Sequence, residues 1–243
     1  MQNWDDPRMT GANAATVGVP RAARDVGLRS YMLSVYNYMA SGVLLTGIVA
    51  LGLAVTGVAE AIFFRGGMLR WVAIFAPLVM IMIMGARANR MTTGGMQAFF
   101  WAFAAVMGVS MSVIPLIYSG TSIAQTFFAT AVSFLSLSLW GYTTKKDLSG
   151  MGTFLIMGVV GLIVAMVINM FMRSTAMDLA ISAIGVLLFA GLTAYDTQKI
   201  KSMYAYVQGS EMVGKSAIMG ALTLYLDFIN MFQFLLAFMG DRR

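Results

Sequence analysis

Seven long apolar runs, separated by short polar connections, limit the fold of this chain more than any other feature. They read as Met32–Thr56, Leu69–Ala86, Met96–Tyr118, Ser122–Tyr142, Met151–Met172, Met177–Tyr195 and Ala217–Met239. A helix of ~20 residues crosses the hydrocarbon core of a bilayer. Strands of a membrane barrel alternate apolar and polar residues over ~10 positions. The run Phe154–Met172 does not alternate. In lipid, a continuous apolar run satisfies its backbone only as a helix. Composition agrees: 59% of the 243 residues are hydrophobic and 11% charged, against about 45–50% and 25% in soluble domains. The expected fold is an all-α membrane protein, a bundle of seven transmembrane helices. Residues 1–30 read as a polar arm without the apolar core of a signal peptide, with a surface helix over Ala22–Leu33. Residues 31–243 read as one transmembrane domain. Of the connections, only Thr197–Ser216 is long enough to fold into something of its own. Pro77 and Pro115 are expected to kink their helices.

Sixteen basic residues outnumber ten acidic ones. They flank the apolar runs instead of forming a stripe, which points to membrane orientation and not to nucleic acid. The N-terminal arm and the second–third, fourth–fifth and sixth–seventh connections hold eleven Lys and Arg, and the opposite side holds five. Positive charge favours the cytoplasm, so the N-terminus is expected there. The chain has no Cys and no His. That excludes disulfides, thiolate chemistry and the commonest metal ligand and general base. No enzyme activity and no permanently bound cofactor is expected.

With ten acids in the chain, each can be placed, and two stand apart. Asp227 falls about ten residues into the last span, with Thr223 and Asn230 on the same helical face and Gln233 a turn further on. An intramembrane carboxylate costs roughly 2.5–3.5 kcal/mol on insertion scales and marks function by default. The plainer alternative is a hydrogen-bonded packing cluster. Asp196 closes the sixth span, and its plainer reading is an interfacial acid paired with Lys199 at i+3. The two spans are sequential and expected to be neighbours. Asp196 meets Asp227 only if the last helix enters its span late, or if Asp196 lies deeper than hydropathy places it. If they meet, they form a dyad that titrates as one unit. Arg87 and Arg90 end the second span on the same side as Asp196. Each is readable as a positive-inside anchor or as an ionic latch on Asp196.

The segments Ala194-Tyr195-Asp196-Thr197-Gln198-Lys199-Ile200 and Leu224-Tyr225-Leu226-Asp227-Phe228-Ile229-Asn230 resemble the Bax inhibitor-1 family in its bacterial branch. The resemblance covers about residues 25–240 and implies a bacterial plasma membrane. It implies a bundle with the last helix central and the other six around it. It also implies a pH-sensitive calcium leak gated by an aspartate pair, whose positions fall on Asp196 and Asp227. These two residues would meet the Ca²⁺ ion, with Arg87 as the preferred arginine partner and Arg90 as the alternative. A rival implication is an interaction protein that modulates a membrane-bound protease, for which the N-terminal arm would suit. An intramembrane hydrolase built on two aspartates is the weakest reading, because the motifs lack the Gly-rich aspartate context of such proteases.

Overall fold

The computed structural model describes residues 21–243, with side chains from residue 26 onward except Asn89. Most of the polar arm therefore lies outside the described residues. Seven helices are long and apolar enough to cross a membrane. They are α1 (Arg21–Val55), α2 (Met68–Arg87), α3 (Thr93–Met111), α4 (Gly120–Thr143), α5 (Ser149–Met172), α6 (Thr175–Val207) and α7 (Met212–Met239). The expected surface helix at Ala22–Leu33 is the first third of α1, continuous with the span.

The helix starts follow from short polar residues just before each apolar run. The hydroxyls of Thr92, Ser119 and Ser174 accept from the backbone N–H groups of Gly95, Ser122 and Met177. Each thereby satisfies one of the amides a helix leaves unpaired at its N-terminus. The two prolines behave differently. Pro77 stays inside α2, where it removes the N–H that would bond the carbonyl of Ala73. The Ser110 hydroxyl on α3 donates to that carbonyl instead, so the backbone is re-satisfied by the neighbouring helix. Pro115 does not kink a helix. The third span breaks after Met111, and Pro115 opens a separate turn at Ile114–Ile117, where a missing N–H costs nothing.

Helix α7 is the most enclosed span. It packs on α6 most extensively, then on α1, α4 and α3. Its aromatic residues meet edge-on partners from those walls. Phe100 and Phe103 approach Tyr225 at ring distances of 6.0 and 5.7 Å, and Phe127 and Phe134 each approach Phe228 at 5.6 Å. This tilted geometry suits the ring quadrupole. The central position expected for the last helix is what the structure shows, with four walls in direct contact. The remaining two helices are outliers: α2 packs on α3 and α5 on α6.

The connection from Thr197 to Ser216 is not a structure of its own. Helix α6 runs on to Val207 and α7 starts at Met212, leaving a tight turn at Gln208–Glu211. Gly209 takes φ 76° there, which glycine adopts without steric cost. Polar residues ended the hydropathic signal at Tyr195, but a helix emerging from lipid has no reason to stop. At the other end of α7, Asp241 and Arg243 bond Ser119 and Ile117, and the Ser122 hydroxyl accepts from the Asp241 N–H. The last helix is thus one continuous helix of 28 residues, long and apolar enough to cross a membrane.

A buried aspartate pair at the α6–α7 hairpin

The length of α6 decides the geometry. Asp196 lies eleven residues before its end and Asp227 fifteen after the start of α7. At 1.5 Å per residue these depths are about 17 and 22 Å from the turn, close enough for the side chains to bridge. The second of the two conditions for a meeting is thus met: Asp196 lies deeper than hydropathy suggests. The two carboxyl groups are within hydrogen-bonding reach of each other. Both are buried, at 8% and 4% exposure.

Oδ2 of Asp227 is shut away from solvent and receives no hydrogen bond. A buried carboxylate without a donor is costly. Two carboxyls this close cannot both carry charge cheaply, so the arrangement calls for a shared proton. Thr223 and Asn230 are half-buried on the same helix. The Thr223 hydroxyl is spent on the Met219 carbonyl one turn back. Gln233 is exposed, so the polar stripe does not continue along α7 as an enclosed row.

The walls that hold Asp196 are tied by polar contacts absent from the sequence reading. Thr197 donates to the Thr193 carbonyl and pairs with the Ser138 hydroxyl on α4 at 2.9 Å, which in turn meets the Tyr36 hydroxyl of α1 at 2.6 Å. Lys201 donates to the Tyr142 carbonyl at 2.7 Å. Gly141 lets α4 close on α6 beside the pair, since a Cβ there would lie 2.3 Å from the Ala194 carbonyl oxygen. Deeper on α7, Tyr225 and Thr46 pair through their hydroxyls at 2.6 Å, and Thr46 donates to the Ala104 carbonyl of α3. The run Phe-Leu-Ser-Leu-Ser-Leu at 134–139 was the available hint, since spaced serines in a span mark helix contacts.

The arginines are not at the pair. Arg87 and Arg90 are both exposed at the end of α2, a helix that packs on α3 alone among its major contacts. Among the described residues the one ion pair is Arg65–Glu60. Lys199 is the cation nearest in sequence to Asp196. It is exposed, its Nζ stands 5.8 Å from the Tyr195 ring centre, and it makes no ion pair with Asp196. No group of three or more acidic ligands occurs among the described residues. Ca²⁺ takes 6–8 oxygen ligands, of which the two carboxyl groups could supply at most four.

Beyond the pair, toward the opposite face, lies a cavity of about 690 Å³ between α1, α4 and α7. Thr46, Phe228, Ile229 and Phe232 line its inner wall, and its lining is overwhelmingly apolar.

Seven spanning helices with an enclosed polar one define a polytopic integral membrane protein. The family described as Inhibitor of apoptosis-promoting Bax1 matches residues 28–243, and the chain belongs to this Bax inhibitor-1 family. Similar proteins include an uncharacterized protein of Rickettsia prowazekii, 47% identical over 220 residues, covering 90% of this chain and 92% of the relative. Another is inner membrane protein YbhL of Escherichia coli, 40% identical over 226 residues, covering 92% and 95%. An uncharacterized Caulobacter vibrioides protein is 44% identical over 229 residues, covering 90% and 91%.

Proposed function

We propose that the protein is a passive Ca²⁺ leak of the bacterial inner membrane, closed while Asp196 and Asp227 share a proton and opened when that proton leaves. The observation that carries this reading is the buried carboxyl pair, with Asp227 Oδ2 lacking any donor. Loss of the proton would leave two like charges in contact in a low-dielectric setting. Their repulsion would part α6 from α7 and free up to four carboxylate oxygens for a cation. On the far side, the apolar cavity walled by Phe228, Ile229 and Phe232 would resist wetting and hold the closed state. The Lys and Arg distribution favours a cytoplasmic N-terminus and α6–α7 turn, in which case the pair would sense cytoplasmic pH. Arg87 and Arg90, exposed here, would reach Asp196 only after movement of α2. The motifs favour no hydrolytic chemistry.

Ca²⁺ flux into dye-loaded liposomes across a pH series tests this. Wild-type flux should rise with pH as the pair loses its shared proton. Asp227→Asn and Asp196→Asn should flatten that dependence, and an unchanged pH profile in both variants sinks the mechanism. The rival role, modulation of a membrane-bound protease through the arm, is tested by removing residues 1–25. Lost partner binding with intact flux would favour it.

A further inference from the structure

The 690 Å³ cavity is a groove with a cation at one end and an apolar floor. Its lining on α1 runs from Val43 to Val55, and on α4 from Gly120 to Phe128, with α7 as its floor. Along α1 this is about 18 Å, close to one leaflet of a ~30 Å hydrocarbon core. The α1 and α4 walls do not pack extensively on each other, so the groove opens sideways. Leu44, Ile48, Leu51 and Phe128 on its rim are more than half exposed, which in a membrane means facing lipid.

Arg243 lines the end of the groove away from the α6–α7 turn. Its position is fixed by backbone pairing. Its N–H donates to the Ile117 carbonyl, Arg242 bridges Tyr118, and Ser119 bonds the Asp241 carbonyl. The neighbouring Arg242 guanidinium stands 5.8 Å from the Tyr118 ring centre. Aromatic and basic side chains at one level mark the membrane–water interface. The groove therefore begins where headgroups lie and ends at mid-membrane, with Arg243 at the headgroup end. Arginine binds phosphate in a bidentate fork.

We propose that this groove is a binding site for one anionic phospholipid, with an acyl chain laid between α1 and α4 and the phosphate at Arg243. The chain would rest on Phe228, Ile229 and Phe232, directly after Asp227 in sequence.

The test is native mass spectrometry of the protein released from micelles holding equal phosphatidylglycerol and phosphatidylcholine. Wild type should retain one phosphatidylglycerol in preference to phosphatidylcholine. Arg243→Gln should weaken that preference about fivefold, equivalent to the ~1 kcal/mol of one basic residue near an anionic surface. Arg70→Gln on the same membrane face, outside the groove, should leave it unchanged. Gly47→Leu places a side chain in open groove space and should reduce retention of both lipids. Photocrosslinking from a diazirine on the acyl chain should label 43–55 and 120–128. Equal retention by Arg243→Gln and wild type, retention of detergent or neutral lipid instead, or labelling elsewhere would each overturn the proposal.

Discussion

Helices α2 and α7 are both apolar and both long enough to span, at 20 and 28 residues, yet they hold opposite places. Half of the most apolar stretch of α7 is buried inside the protein, against 17% of that in α2. Hydropathy puts both helices in the membrane. What separates them is polar content: α7 carries Thr223, Asp227 and Asn230, whereas α2 has no acid and turns most of its large apolar side chains outward. In a bilayer a carboxylate chooses the centre because every lipid-facing position penalises it. Burial in a membrane protein is thus read from what a helix must hide from lipid.

Moving a carboxylate between the two helices should give the largest effect. Leu78 on α2 is 54% exposed. Leu78→Asp should lose roughly 2.5–3.5 kcal/mol of insertion, seen as a collapse of the membrane-extracted yield. Asp227→Leu should keep normal yield while losing the pH response of flux, because an apolar residue replaces a buried polar one among apolar neighbours. Equal tolerance at both sites would break the contrast.

The next effect concerns how tightly α7's partner is held. Gly141→Leu would drive a side chain into the Ala194 backbone. It should cost about 1–3 kcal/mol, as overpacking does, and lower the thermal midpoint in detergent. The same change at Gly85, a lipid-side position of α2 with open space around it, should leave the midpoint in place.

A smaller loss is expected at Tyr225→Phe. It removes the hydroxyl paired with Thr46 and should cost about 0.5–1.5 kcal/mol, since Thr46 keeps its bond to Ala104. The same thermal assay reads it.

The smallest effect lies outside the membrane. The Ser149 hydroxyl and N–H hold the Asp147 carboxyl below the usual carboxylate range. A lowered value means the bond is present at neutral pH and lost as pH falls through it. Exchange protection of the Ser149 amide should therefore fall only in acid, with flux unaffected by Asp147→Ala.

Much of this was legible in the sequence. The seven runs, the neighbouring sixth and seventh helices and both aspartates follow from hydropathy and from the rarity of acids. The depth of Asp196 did not, because Thr197, Gln198, Lys199 and Lys201 ended the apolar signal while the helix continued to Val207. Nor did the ties that brace the site. Tyr36, Ser138 and Thr197 come from three helices, and no spacing within one helix reports a contact between several. Arg87 followed from its side of the membrane and from the family resemblance, and neither fixes a contact.

The sharing of one proton between Asp196 and Asp227 is the centre of the functional reading. Infrared difference spectroscopy of the reconstituted protein over a pH series measures it through the protonated-carboxyl C=O band. One such carboxyl per pair should disappear over the pH range in which Ca²⁺ flux rises, and Asp227→Asn should remove that titration. A pair that is already doubly ionised at the lowest flux, or whose band titrates apart from flux, would contradict it.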